Sequence, residues 1–190
     1  MFPKNTWYVA CTPQDIDDKP LGRMICGERI VFYRAEAGRV AALEDFCPHR
    51  GALLSLGFVR EGRLVCGYHG LEMGCEGKTI AIPGQRVRGF PAICSYPVED
   101  RYGFIWVWTG EAGLADPAKI PHQAWFDNPE WAYGGGMYHV KCDYRLMIDN
   151  LIEGIPDHKD MYLTPEEQAA NDQFTPCCSR SKSARLVLDL

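Results

Sequence analysis

Two short segments each pair a thiol with an imidazole: Cys47-Pro48-His49-Arg50-Gly51 and, further along, Cys66-Gly67-Tyr68-His69-Gly70. The pattern is C-x-H-x16-C-x2-H, so each segment supplies one ligand of each kind. A binuclear iron-sulfur cluster with two cysteines on one iron and two histidines on the other needs that distribution. A structural zinc site is the competing use of the same donors, but zinc ligands more often arrive as C-x2-4-C paired with H-x3-5-H. Here both segments mix the types, and the spacing points to a [2Fe-2S] cluster held by Cys47, His49, Cys66 and His69.

Positioning those donors calls for tight loops on a rigid frame. Gly51, Gly67 and Gly70 lack a Cβ and let backbone approach bridging sulfides closely, and N–H groups freed in such loops tune the potential. Pro83-Gly84 offers a third covering loop. The frame reads as antiparallel β, because up to Gly110 the chain consists of short β-branched and aromatic runs broken by turn residues. Strands are expected at Thr6 to Cys11, Leu21 to Cys26, Arg29 to Tyr33, Val40 to Glu44, Arg63 to Cys66 and Thr79 to Ile82. Tyr102 to Trp108 alternates aromatic with other apolar side chains, which predicts a core strand with one aromatic face.

Residues 1–110 therefore form a first domain, and the Gly-, Ala-, Asp- and Pro-rich stretch 111–121 reads as a linker. A second unit is expected over 122–156, with a strand from Met137 to Cys142 and a helix capped by Asp143 that runs through Tyr144 to Leu151. Gly154-Ile155-Pro156 should stop that helix. Residues 157–190 show no sustained periodicity beyond a short helical stretch at Pro165 to Asn171, and are expected to pack poorly. The fold class is mainly β: an antiparallel β-sandwich followed by a partial α+β unit.

With 46% hydrophobic residues, 190 residues can bury one good core and begin a second. A net charge of −5 without a basic stripe gives no electrostatic reason to expect nucleic acid; a weakly acidic surface suits a basic partner, although such charge usually serves solubility alone. The start has no apolar signal segment and no run is long enough to span a bilayer, so no membrane is expected and the protein reads as cytoplasmic. Nine cysteines is an odd count, and Cys11, Cys26, Cys75, Cys94 and Cys142 read as reduced, buried, small apolar residues. His122 and His139 lack ligand spacing, adjacent Cys177-Cys178 is not C-x-x-C, and Gly77-Lys78-Thr79 lacks the upstream glycine of a phosphate loop.

The two mixed segments resemble the Rieske family. Its respiratory members carry an extra disulfide-forming cysteine in each ligand loop and a serine after the second; this chain has Ala52, Tyr68 and Leu71 there, and fewer donors to sulfur favour a lower potential. Beyond the loops, Phe2 to Ala10, Glu44 to Ala52, Pro83 to Pro91, Arg101 to Trp108 and Cys142 to Leu151 resemble Rieske non-haem iron oxygenases that demethylate aryl methyl ethers. The resemblance implies electrons from a NAD(P)H-dependent flavin/iron-sulfur reductase, passed through the cluster to a mononuclear Fe(II) that activates dioxygen. The methyl of a small aromatic substrate is hydroxylated, and the hemiacetal releases formaldehyde and a phenol. Such subunits assemble as ring-like homotrimers.

The likeness stops where the mononuclear iron should bind. The family's Asn-Leu-Met-Asp-Leu-Thr-His run, laid on Asn150-Leu151, puts Glu153 at the aspartate, Pro156 at the first histidine and Met161 near the second. No ligand to that iron and no catalytic residue is matched, and His158 lacks a helical frame to orient it. The expectation is an intact cluster domain with a stub of the catalytic domain, the reading frame diverging after Leu151, which weighs against the trimer. A ferredoxin-like electron carrier, or an inactive gene remnant, is the alternative function.

Overall fold

Ile30, Val31, Phe32 and Tyr33 follow one another without a polar residue, the pattern of a strand covered on both faces. In the computed structural model, which describes residues 2–123, 126, 129–130 and 141 and the backbone of 156–157 and 180–181, all four are fully buried. They lie in β3 (Glu28–Arg34), at the heart of a unit spanning Met1–Tyr133.

Around it, β2 (Leu21–Ile25), β4 (Val40–Glu44) and β9 (Ser95–Tyr96) complete a sheet ordered β2-β3-β4-β9. A second sheet, β1-β11-β10, uses β1 (Thr6–Cys11), β11 (Phe104–Thr109) and β10 (Val98–Arg101). The third is the meander β5 (Phe58–Arg60), β6 (Arg63–Val65), β7 (Glu72–Met73) and β8 (Thr79–Ala81). Every pairing in these sheets is antiparallel.

The central sheet has a core on each side. Ile30, Phe32 and Ala42 pack with Ala10, Cys11, Ile105 and Val107 of the β1-β11 layer. Val31, Tyr33 and Leu43 point the other way and meet Leu64, Met73, Leu71, Cys47 and Cys66. The cysteines expected to bind metal are thus built into the second core, and the rigidity of that core is what holds them.

Three hairpins turn in two residues with glycine second: Cys26-Gly27, Glu61-Gly62 and Tyr102-Gly103, all six with φ between 49° and 81°. Two left-handed residues in succession make the turn whose twist matches the flanking strands. The glycines end strands, β5 and β10 among them, that alternation alone does not reveal.

The aromatic face of β11 is covered by the chain that follows it. Trp7, Trp106, Trp108 and Ile120 form a third cluster, and each indole N–H donates to a backbone carbonyl. Trp7 bonds to Asp116 at 2.8 Å, Trp106 to Arg101 at 3.0 Å and Trp108 to Glu111 at 2.9 Å. Residues 111–120 are therefore pinned to the sheet by two of these bonds, and the Lys119 ammonium sits 5.2 Å from the centre of the Trp108 ring.

Three of the cysteines expected to be buried are not. Cys75 and Cys94 are exposed, not buried, because Cys75 sits in the turn joining β7 to β8 and Cys94 lies just before the short strand β9. Cys11 is buried and Cys26 half-buried; all the described cysteines are free thiols.

In the other unit, Gly134–Leu190, the backbone of β12 (Pro156–Asp157) pairs antiparallel with β13 (Arg180–Ser181). The expected strand at Met137 to Cys142, the helices at Tyr144 to Leu151 and Pro165 to Asn171, and His139, His158 and Cys177-Cys178 lie outside the described residues. Among the described residues no helix is long and apolar enough to cross a membrane.

Candidate metal centre

Each ligand segment leaves the end of a strand, the first after β4 and the second after β6, and each is closed by the same pair of hydrogen bonds. In the first, the Cys47 N–H donates to the Ala52 carbonyl at 2.8 Å and the Gly51 N–H to the Cys47 carbonyl at 2.8 Å. In the second, the Cys66 N–H donates to the Leu71 carbonyl at 2.8 Å and the Gly70 N–H to the Cys66 carbonyl at 3.0 Å. Gly51 and Gly70, with φ of 70° and 71°, occupy the same left-handed position in the two loops. The unequal spacings C-x-H and C-x2-H thus fit loops of one size, with His49 leaving its loop one position earlier than His69.

Three further contacts press the loops into place. A Cβ at Gly70 would lie 2.9 Å from Pro83 Cγ, and one at Gly67 would lie 3.1 Å from the Leu56 carbonyl oxygen. The Phe90 ring stands edge-on to His49, centroids 5.8 Å apart. The segment from Pro83 to Phe90 therefore touches both ligand loops, as its Pro-Gly start suggested.

Within this frame the donors sort by depth. Cys47 and Cys66 are buried at 2% and 1% exposure, and their thiols hydrogen-bond to one another. His49 is half-buried and His69 exposed, their rings 4.6 Å apart. Two thiols inside and two imidazoles outside make two pairs.

His49 Nδ1 is buried and has no hydrogen-bond partner. An unpaired buried nitrogen costs about 1–3 kcal/mol, and a metal bond is one way to satisfy it. Burial pushes the Cys47 thiol up, and the neighbouring Cys66 adds to this, against backbone N–H groups of His49 and Arg50 that donate to its sulfur. Those N–H groups would stabilise a metal-bound thiolate. Loss of hydration moves His69 down, helped by the nearby His49 and Arg50, which favours the neutral imidazole that a metal requires. The donor set fits a [2Fe-2S] cluster.

Sequence reasoning missed what locks the first loop. Asp45 is a buried carboxylate whose two oxygens accept from the Ser55 N–H at 2.7 Å and the Ser55 hydroxyl at 2.6 Å, while its own N–H donates to the Arg29 carbonyl at 2.9 Å. The start and end of the first ligand segment are thereby tied together and to the central sheet. Asp45→Ala leaves both Ser55 donors without an acceptor and is expected to lower stability by about 2–3 kcal/mol in urea unfolding, with Asp45→Asn losing less. Equal midpoints for Asp45→Ala and the unsubstituted protein would refute the clamp.

Comparison with known proteins gives the class of the domain. Residues 6–97 match the Rieske [2Fe-2S] domain. The chain is 76% identical over 153 residues to the vanillate O-demethylase oxygenase subunit of Pseudomonas sp. (strain HR199 / DSM 7063), covering 80% of this chain and 43% of that protein. It is 44% identical to the oxygenase component of dicamba O-demethylase from Stenotrophomonas maltophilia, covering 80% and 45% respectively. A crystal structure of dicamba monooxygenase with non-heme iron and dicamba superposes with a TM-score of 0.73 at 36% identity, covering 86% of this chain and 56% of that one. The class is thus a Rieske [2Fe-2S] protein. More narrowly, the chain belongs to the Rieske oxygenase family, and it spans less than half the length of the two curated relatives.

Proposed function

We propose that Cys47 and Cys66 hold one iron of the [2Fe-2S] cluster and His49 and His69 the other, in an oxygenase subunit that demethylates aryl methyl ethers. The observation that carries the ligand assignment is the meeting of two buried thiols with two outward imidazoles, one having an unpartnered buried Nδ1. When bound, the cluster supplies one-electron transfer. The chain's own residues hold it at the end of a packed core, exclude water from its sulfur side through Cys47, Cys66 and Leu71, and leave the His69 edge open for electron exchange.

Vanillate, a methoxylated aromatic acid, is the substrate favoured by the 76% identity to a vanillate O-demethylase subunit. Electrons then come from a NAD(P)H-dependent flavin/iron-sulfur reductase in the cytoplasm. Residues 1–110 are the cluster domain, 111–121 the connector, 122–156 the beginning of the catalytic domain and 157–190 a divergent tail. No residue of this chain is assigned to a mononuclear iron, because Glu153, Pro156 and Met161 fall where its motif would lie. A homotrimer is the assembly suggested by the family.

The test combines iron and acid-labile sulfide analysis with turnover. Purified protein, a suitable reductase, NADH and added ferrous iron are mixed with vanillate under air, and formaldehyde is measured. Formaldehyde supports the full reading. Cluster reduction without formaldehyde overturns demethylation by this chain and favours the electron carrier. Zinc in place of iron and sulfide overturns both.

A further inference from the structure

Four rings touch in sequence at the candidate cluster, and the two outermost are not in the proposed ligand set. From Phe90 to His49 the centroids are 5.8 Å apart, from His49 to His69 4.6 Å and from His69 to Tyr68 3.8 Å. The imidazole pair is thus flanked on both ends by an aromatic ring.

Each flanking ring is placed by its own loop. Successive side chains of an extended chain point to opposite faces. The Gly70 N–H, however, donates to the Cys66 carbonyl at 3.0 Å and curls the second loop, so that neighbouring Tyr68 and His69 meet ring to ring at 37°. Phe90 comes from the segment that begins with Pro83 against Gly70. Gly89, with φ of 73°, turns the chain just before it, and the Phe90 ring packs on the core that holds Cys47 and Cys66 while meeting His49 at 86°. Core packing accounts in part for Phe90 but not for Tyr68, which is 61% exposed and whose one ring contact among the described residues is His69. An exposed ring laid on an exposed imidazole covers the ligand, not the core.

We propose that Tyr68 and Phe90 are positioning residues for the cluster: they hold the His49 and His69 imidazoles together, and Tyr68 shelters the His69 side from water and keeps the reduction potential low. The inference rests on the cluster assignment above. Two sulfides, two thiolates and two ferric irons sum to zero charge, and reduction by one electron adds a negative charge. Water stabilises that charged state, whereas the electron-rich face of a ring over an iron-bound imidazole stabilises the oxidised one. Removing the Tyr68 ring therefore raises the potential on both counts.

The test compares the full, cluster-loaded chain with Tyr68→Leu, Tyr68→Phe and Phe90→Leu at a single pH. Anaerobic dithionite titration with mediator dyes gives the potential, electron paramagnetic resonance of the reduced state gives the g values, and a ferrous chelator gives the rate of iron release. Tyr68→Leu is expected to shift the reduction equilibrium about threefold toward the reduced form, about 30 mV upward at about 59 mV per tenfold for one electron. Its g values should move, and iron should leave about three to ten times faster, the range that one aromatic pair supplies. Phe90→Leu should also move the g values and speed iron release. Tyr68→Phe keeps the ring and should match the unsubstituted protein in all three measurements. Unchanged potential, g values and release rate in Tyr68→Leu overturn the proposal. So does Tyr68→Phe behaving as Tyr68→Leu does, which would assign the effect to the hydroxyl, and so does faster iron release at unchanged potential and g values, which would leave Tyr68 a role in loop stability alone. Colourless unsubstituted protein overturns the cluster assignment and this inference together, whereas coloured protein with indifferent variants overturns the inference alone.

Discussion

Cys47→Ser is expected to leave the purified protein nearly colourless, with iron and acid-labile sulfide each falling from about two per chain to a small fraction of that. Serine keeps the size of the side chain but not its chemistry. The site already favours the neutral thiol, because burial pushes Cys47 up and its Cys66 neighbour reinforces this; a hydroxyl, far harder to deprotonate, gives iron no anionic ligand. The substitution also places a hydroxyl at a position 2% exposed, in a core shared with Leu54, Leu64 and Leu71. Lost packing and a buried hydroxyl with poor partners cost about 1–3 kcal/mol even before metal is considered. Cys75→Ser is the matched control, since Cys75 is exposed in a hairpin turn and should retain colour, iron and the electron paramagnetic resonance signal of the reduced state. Full iron and sulfide in Cys47→Ser would sink the ligand assignment.

Gly77→Ala is expected to destabilise the fold far more than Gly27→Ala does. Gly77 has φ of 75° and an added Cβ would lie 2.1 Å from the Ile93 carbonyl oxygen, a backbone atom that cannot swing aside. Its own carbonyl accepts from the Ile93 N–H at 2.9 Å, so the turn between β7 and β8 is sewn to the segment entering β9. Relieving the overlap means separating the two backbones, losing that bond and disturbing the adjacent one from the Glu44 N–H to the Cys94 carbonyl at 2.8 Å. Left-handed strain, one lost hydrogen bond and displaced core side chains together come to on the order of 4 kcal/mol. Gly27→Ala isolates the first contribution, because Gly27 also has positive φ, at 81°, but nothing within 4 Å of an added Cβ. It should cost about 1 kcal/mol. Urea unfolding of the two variants checks the difference, and equal losses would show that backbone conformation alone, not the contact with Ile93, makes Gly77 necessary.

The strands that were legible were those long enough to carry a pattern. β1 and β4 coincide with the expected Thr6 to Cys11 and Val40 to Glu44, and β3 announces its double burial through an unbroken apolar run. β7 and β9 are two residues each, too short for any periodicity, and exist because neighbouring strands offer them an edge. β5 and β10 were recoverable in principle from Glu61-Gly62 and Tyr102-Gly103, whose glycines mark two-residue hairpins.

The spacing of Cys47, His49, Cys66 and His69 pointed to the kind of cofactor, since which atoms can bind iron is a property of side-chain type and every proposed ligand lies within a short local segment. Local alternation likewise determined an antiparallel β fold. Only the tertiary structure decided that the thiols lie in the core and His69 faces out, that Asp45 closes the first loop through Ser55, and that Pro83 packs on Gly70 and Phe90 on His49. Those relations join residues distant along the chain, and such contacts are settled by how layers pack rather than by the pattern within any one segment.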